Sequence, residues 1–427
     1  MSDLPETFRA YVVDRPEGGA FTRGLRDMSP AGLPEGEVTV RVEWSSVNFK
    51  DGLAAREDGR VARGYPLIPG IDLAGTVVAS DDDAFPAGTK VLANGFDIGT
   101  ARHGGYGELA RIPSGWVVPL PAGLTARDAM AIGTAGFTAA MSVQALEHHG
   151  LKAGAGPVLV TGASGGVGST AVAILAARGH EVWAATGKAG EAGRLTDLGA
   201  AGILTRDEVT APGRPLDSAR WAGAVDTVGA ATLPYVLRTL RIGAAVASSG
   251  NASGADLATT VFPFILRGVA LLGMDSANMA IEPRRALWNR LATDLLPRGI
   301  DDGITEVDLD TLEPALDAIV AGQARGRWVV RVRLRADGGV ARQAALGETV
   351  RDPQLGQDPG QHARERPLPA RQVRVQARRR QHQRVRQQPV LPAEHVAAGD
   401  QAAQRVPVKD ERPIRRQVAE GSEARLE

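Results

Sequence analysis

Residues 158–168, Val158-Leu159-Val160-Thr161-Gly162-Ala163-Ser164-Gly165-Gly166-Val167-Gly168, run an apolar strand straight into a glycine-dense turn. Glycines let a backbone that leaves a buried strand turn sharply and approach a pyrophosphate lying over the first amides of the next helix. Thr170 to Ala177, apolar on most faces, supplies that helix. A bare glycine triplet is usually only a turn, but here a strand precedes it and a helix follows, which is the context a dinucleotide site requires. The stretch therefore predicts a dinucleotide-binding unit in a parallel α/β sheet.

Cofactor choice is expected about twenty residues downstream, where the second strand of such a unit meets the adenosine ribose and an acid would accept from the 2′-hydroxyl of NAD. That strand, Glu181-Val182-Trp183-Ala184-Ala185, ends in Thr186-Gly187-Lys188, with no carboxylate at its tip. A hydroxyl, a glycine that permits close approach and a cation suit a 2′-phosphate, so NADPH is favoured over NADH. A solvated surface lysine is the plainer account of Lys188, yet the first 333 residues hold only four lysines, at positions 50, 90, 152 and 188.

The balanced total of 49 Lys+Arg and 49 Asp+Glu conceals two unlike parts. Residues 334–427 carry 18 basic and 12 acidic residues, which leaves 31 against 37 for residues 1–333. Every Trp, Tyr and Phe lies before residue 334, and 13 of the 15 Gln lie after it. Such a tail lacks the aromatics and large aliphatics that offset the entropy of ordering, and it is expected to be disordered. It is read either as an Arg/Gln-rich interaction arm, with Arg378-Arg379-Arg380 touching nucleic acid, or as translation past a lost stop codon or in a shifted frame; the second is preferred. The sequence holds no cysteine, so disulfides, thiolate zinc sites and thiol catalysis are excluded. No secretory signal and no run approaching a membrane span is seen, so a cytoplasmic protein without membrane contact is expected.

Ahead of the tail the pattern changes once. Phe8 to Val13, Glu37 to Trp44, Gly75 to Ala79, Lys90 to Ala93 and Gly107 to Ile112 read as short strands between Gly/Pro turns, which suggests a β-barrel-like domain. From Ala129 the chain turns helical and then alternates strand and helix through Val269 to Leu272, which points to a parallel sheet wrapped by helices. A helix over Pro283 to Leu296 and terminal strands, the last at Arg327 to Val332, return to the first domain.

This order resembles the medium-chain dehydrogenase/reductase superfamily. Trp44-Ser45-Ser46-Val47-Asn48-Phe49-Lys50-Asp51, Pro69-Gly70-Ile71-Asp72-Leu73-Ala74-Gly75, Gly133-Thr134-Ala135-Gly136-Phe137-Thr138-Ala139, Trp221 to Gly229 and Pro263-Phe264-Ile265-Leu266-Arg267 narrow the resemblance to its zinc-free, quinone oxidoreductase-like acrylyl-CoA reductase branch. The implied architecture is a GroES-like β-barrel catalytic domain (1–130), a Rossmann doubly wound NADPH-binding domain (131–273), a return to the catalytic domain (274–333) and the tail (334–427). The implied activity is NADPH-dependent reduction of an electron-poor C=C bond, acrylyl-CoA to propanoyl-CoA in this branch. Zinc relatives carry a His-Glu pair after the glycine where this chain has Gly70-Ile71-Asp72, so no metal site is expected. Conjugate reduction needs no metal, since the thioester carbonyl already draws electrons from the β-carbon.

The resemblance also implies roles. Asn48, Phe49 and Asp51 line the cleft: Asn48 donates to a carbonyl or holds a water, Asp51 orients it or relays a proton, and Phe49, where many relatives have Tyr, packs against the nicotinamide. Each of the polar pair is also at home as a turn residue after a strand. Thr134 meets the nicotinamide amide, or else caps a helix. Ser164, Gly165, Gly166 and Val167 hold the pyrophosphate; Thr186, Gly187, Lys188 and Arg206 hold the adenosine phosphate; Asn251, Ile265 and Ser276 border the nicotinamide. Arg267 is either structural or meets CoA phosphates. His103 is expected to face solvent, and His148 and His149 diverge on a helix without metal spacing. A homodimer acting on a small molecule is expected. A quinone or enone reductase on the same frame is the near alternative, and a non-catalytic NADPH-sensing or nucleic-acid-binding protein is the alternative of another class.

Overall fold

Alternating apolar residues open the chain as β1 (Phe8–Asp14), β2 (Thr22–Met28) and β3 (Val38–Ser46), after which α1 (Phe49–Ala54) starts at once. Next come β4 (Asp72–Ser80), β5 (Lys90–Asn94), β6 (Leu109–Ile112), β7 (Val118–Pro119) and the long α2 (Ala126–His148). The alternating region holds β8 (Val158–Val160), α3 (Gly166–Ala177), β9 (Val182–Thr186), α4 (Ala192–Asp197), β10 (Ala200–Thr205), α5 (Arg206–Thr210), β11 (Gly223–Asp226), α6 (Thr232–Thr239), β12 (Ala245–Ser248), α7 (Phe262–Arg267) and β13 (Ala270–Gly273). The chain returns through α8 (Ile281–Leu291), β14 (Ile304–Asp308), α9 (Leu312–Val320) and β15 (Arg327–Arg331). This computed structural model describes residues 4–299 and 301–333, so the expected tail at 334–427 lies outside the described residues.

The middle region forms a six-stranded sheet in the order β10-β9-β8-β11-β12-β13, parallel at every pairing. Strand order reverses between β8 and β11, and an open parallel sheet leaves its ligand crevice at that switch point. β8 explains its central place: all three residues are 0% exposed, as a strand covered on both faces must be. The flanking segments pair in a seven-stranded sheet, β14-β15-β3-β4-β5-β7, with β6 also on β3. The last strand among the described residues thus lies against one of the first, antiparallel from Val329 opposite Ser46 to Arg331 opposite Trp44.

Two sequence expectations shift. β2 departs from the expected strands: Thr22-Arg23-Gly24-Leu25-Arg26-Asp27-Met28 has few apolar residues and lies at a surface, paired with β1. α2 is 23 residues long and apolar enough to cross a bilayer, against the expectation of no such run, but 78% of its most apolar window is buried inside the fold. It packs on α3 and on both sheets, with Phe137, Ala140 and Val143 fully buried.

Candidate active site

The polar centre of the barrel half is the Asp72 carboxylate at the start of β4, which is completely buried. It accepts from Ser46 Oγ (2.5 Å), Asn48 Nδ2 (2.8 Å), Thr134 Oγ1 (2.5 Å) and the Thr134 backbone N–H (3.0 and 3.1 Å to its two oxygens). The last contact depends on a break in α2. Gly133 has φ 51 and ψ −165, which interrupts the helix and frees the Thr134 amide. No side chain fits there: a Cβ would stand 2.5 Å from an Arg327 nitrogen, 2.7 Å from Asp72 Oδ2 and 3.0 Å from Ser46 Oγ. Asp72 therefore acts as an acceptor for the second half of α2, in the way a cap does.

Asn48 is the keystone between two acids. Its backbone N–H donates to Asp51 Oδ2 (2.8 Å), and its Nδ2 reaches Asp72 Oδ2, Ser46 Oγ (3.0 Å) and Asp51 Oδ2 (3.2 Å). Asp51 Oδ1 accepts from the Ile71 backbone N–H at 2.8 Å. Burial, and then the charge of Asp72, push the Asp51 carboxyl up to about 7, while the amides of Ile71 and Asn48 pull the other way. Asn48 was expected to donate to a carbonyl or hold a water; here its Nδ2 faces the buried acceptors Ser46, Asp51 and Asp72. Asp51, expected to orient Asn48 or relay a proton, is fully buried and accepts from the Asn48 and Ile71 amides.

Three neighbours were not among the expected site residues. Tyr106 donates to the Ser46 carbonyl at 2.9 Å, and burial raises its hydroxyl pKa. Arg327, from the first position of β15, donates through Nε to the Ala131 carbonyl (2.9 Å) and lies 3.4 Å from Asn48 Oδ1. Burial lowers its pKa, and the charges of Asp72 and Asp51 oppose that shift. The same guanidinium reaches the glycine turn, since a Cβ on Gly166 would stand 3.2 Å from it. Asp226, at the end of β11, accepts from Thr161 Oγ1 (2.6 Å) and the Gly229 amide (3.0 Å), which fixes the loop beside that turn.

The glycine turn fits a dinucleotide by its own geometry. Gly162 has φ 59, and a Cβ there would lie 2.3 Å from Thr227 Oγ1; one on Gly168 would lie 2.4 Å from the Gly162 carbonyl oxygen. α3 starts after Gly165 with no side-chain cap, so its first amides are left for an external oxyanion. At the tip of β9, Thr186 Oγ1 donates to Ser164 Oγ (3.0 Å) and accepts from the Lys188 amide (3.0 Å). Arg206 lies over Gly187, where a Cβ would come within 2.6 Å of its guanidinium. Neither Lys188 nor Arg206 forms an ion pair among the described residues; Lys188 Nζ donates to the Ala324 carbonyl at 3.2 Å. Two uncompensated cations beside a bare glycine suit a 2′-phosphate.

At the other end, Thr138 Oγ1 lies 2.8 Å from Ser276 Oγ, which ties Ser276 to the turn of helix that carries Thr134. Phe49 is 53% exposed at the head of α1, Ile265 is 67% exposed on α7, and Asn251 lies in an exposed turn; none of these three side chains is hydrogen-bonded to the Asn48 cluster. Arg267 is structural, donating to the carbonyls of Arg238 (2.9 Å), Leu240 (3.1 Å) and Asp217. His103 does not face solvent freely: its ring is partly buried and its Nδ1 accepts from the Ile68 amide at 3.3 Å.

The family model of the alcohol dehydrogenase GroES-like domain matches residues 34–122. Acrylyl-CoA reductase AcuI of Ruegeria pomeroyi is 50% identical over 328 residues, 76% of this chain and 99% of that protein. The chain belongs to the acrylyl-CoA reductase branch of the medium-chain dehydrogenase/reductase superfamily. Within the wider quinone oxidoreductase-like group, the putative quinone oxidoreductase YhfP of Bacillus subtilis is 44% identical across 72% of this chain and 94% of its own. The yhdH oxidoreductase of Salmonella enterica, solved in complex with NADP, superposes with a TM-score of 0.74 at 46% identity, covering 76% of this chain and 100% of that one.

Proposed function

We propose that this chain is an NADPH-dependent oxidoreductase that reduces acrylyl-CoA to propanoyl-CoA. The observation that carries the reading is the 50% identity to an acrylyl-CoA reductase over 99% of that protein's length. The glycine turn and the paired cations Lys188 and Arg206 support NADPH as the cofactor. NADPH, when bound, supplies the hydride that adds to the β-carbon. Ser164, Gly165, Gly166 and Val167 hold its pyrophosphate; Thr186, Gly187, Lys188 and Arg206 hold its adenosine phosphate; Phe49, Thr134, Asn251, Ile265 and Ser276 border its nicotinamide.

Asn48 works as a rigid spacer. Two buried carboxylates cannot both stay charged side by side without donors between them, and the Asn48 amide with Ser46, Thr134 and the Ile71 amide provides those donors. Arg327 supplies the countercharge and joins this cluster to the glycine turn, so cofactor and substrate walls are fixed relative to each other. The thioester itself activates the double bond, and solvent delivers the α-proton. A chain without cysteine supports reduction without a thiolate-bound zinc.

The edge strand β13 and the neighbouring helix α7 expose Val261, Phe262, Ile265, Leu266 and Leu271, which supports a homodimer that continues the sheet. The cytoplasm, where NADPH is regenerated, suits the activity. The reading is tested by following NADPH oxidation with acrylyl-CoA beside a simple quinone and an enone, with and without a chelator. Acrylyl-CoA is expected to give the highest kcat/KM, unaffected by chelation. A quinone preferred over acrylyl-CoA moves the assignment to quinone reduction, which the likeness to YhfP keeps in view.

A further inference from the structure

The most heavily invested side chain outside the cluster around Asn48 is Arg284, on α8. It is 0% exposed and faces no carboxylate within ion-pair distance among the described residues. Burial presses its pKa down to about 10, so it remains a cation at neutral pH. An unpaired buried charge is costly unless hydrogen bonds surround it. Here four carbonyls do so: Asn94 O at 2.8 Å from one terminal nitrogen, and Ser276 O, Ala277 O and Met279 O at 3.0, 3.0 and 3.1 Å from the other. Rings flank the guanidinium, with Phe96 centred 4.5 Å away and Phe137 5.2 Å away.

Three of those carbonyls belong to one segment, residues 274–280, by which the chain leaves the parallel sheet after β13 and re-enters the barrel half at α8. The fourth ends β5. Beside it, Phe96 has φ 51, unusual for a phenylalanine, and is held there from both sides: its amide donates to Ala277 O at 2.8 Å and its ring stacks on Trp116 at 4.9 Å. Gly95 has no room for a side chain, because a Cβ would stand 2.8 Å from Ala277 O and 3.0 Å from the guanidinium. An apolar residue of similar volume would fill this core without the desolvation cost, and the Arg284 Nε finds no partner among the described residues. What the planar fork adds is geometry: it ties one backbone segment to another, which a lysine's single donor point cannot reproduce.

We infer that Arg284 is a positioning residue for the cofactor: by clamping residues 276–279 onto the end of β5, it sets Ser276 and Thr138 at the nicotinamide end of the cleft. This rests on the reading under Proposed function that Ser276 borders the nicotinamide. The adenosine end, at Thr186 to Lys188, follows β9, in the half of the parallel sheet away from β13, and owes nothing to this clamp.

The test compares two ligands. Arg284→Met and Arg284→Lys are measured by fluorescence titration against NADPH and against adenosine 2′,5′-bisphosphate, which fills only the adenosine end, alongside thermal unfolding. Arg284→Met is expected to weaken NADPH at least tenfold and leave the bisphosphate within twofold, with Arg284→Lys between it and the parent. Equal loss for both ligands, or none for either, overturns the inference. Should neither variant fold, Arg284→Gln, which keeps a planar amide donor but not the two-ended fork, is read the same way: NADPH weakened with the bisphosphate unchanged supports the clamp, and unchanged NADPH affinity overturns it. A parent protein that binds the bisphosphate but gains no further affinity from the nicotinamide half refutes the reading on which the inference rests.

Discussion

Two polar centres lie close together in this molecule and are built on opposite plans. The glycine turn at the head of α3 is open: its helix starts without a side-chain cap, and Lys188 and Arg206 beside it form no ion pair among the described residues. The cluster under Asn48 is closed: Asp72 alone receives hydrogen bonds from Ser46, Asn48 and Thr134, and Asp51 is filled by Ile71 and Asn48. An open centre holds binding energy in reserve for a ligand, whereas a closed one has already used its hydrogen bonds to fix a shape. Damage to the first should therefore cost affinity, and damage to the second should cost stability and turnover.

The sharpest break is Asp72→Ala. It takes the acceptor from the Ser46 and Thr134 hydroxyls and the Thr134 amide at once, removes one of the acceptors of the Asn48 amide, and leaves Arg327 without its main countercharge. Removing one partner of a buried charged network costs about 3–5 kcal/mol. Chemical denaturation is expected to show a loss of that order; a loss below about 1 kcal/mol would mean that water replaces the carboxylate and that the cluster is not closed.

The same contrast explains what could be read in advance. The turn at 158–168 is a local feature, in which strand, glycines and helix are consecutive, so residue order alone exposes it. The six parallel strands were legible for the same reason, each being a short apolar run between turns. The closed cluster draws on positions 46, 48, 51, 72, 106, 134 and 327, and only the fold brings β15 against β3. Asn48, Asp51 and Thr134 were reached through family strings. Asp72 stands in the sequence as the residue that replaces a zinc relative's acid, and its place between Ile71 and Leu73 in an apolar run is itself a signal of a buried carboxylate. Arg327 carried none, because an arginine opening a terminal strand is ordinarily solvated.

Acidity offers a second probe of the closed centre. Asp51 rises from 3.8 to about 7 in the folded protein, so the folded state holds the proton more tightly than the unfolded chain. Its contribution to stability is complete below about pH 4 and is lost as pH climbs through about 7. Between pH 5 and pH 8 this amounts to roughly 3 kcal/mol at about 1.4 kcal/mol per unit. Comparing urea midpoints at the two pH values should give a markedly smaller difference in Asp51→Asn than in the parent. Parallel pH profiles would place the ionisation elsewhere.

Turnover should respond to Asn48→Ala, which removes the spacer between the two acids and the contact with Arg327. A fall in kcat of tenfold or more is expected, with the KM for NADPH little changed, since the phosphate cradle is left intact. If the KM for NADPH rises while kcat holds, the two centres are not divided as proposed.

The open centre gives the smallest effect and the most specific one. Lys188 spends one donor on the Ala324 carbonyl, a neutral acceptor that a dianionic phosphate can displace, and Arg206 stands beside it over Gly187. Because two cations share the phosphate, losing one should not abolish binding. Lys188→Ala is expected to weaken NADPH about tenfold, near the lower end for a charge-assisted hydrogen bond, and to leave NADH almost untouched. Isothermal titration with both cofactors separates the possibilities. An equal loss for NADPH and NADH would show that Lys188 acts through the loop at Ala324 and not through the phosphate. A tenfold loss confined to NADPH, with an unchanged melting temperature in the ligand-free protein, is the signature of a centre kept open for its ligand.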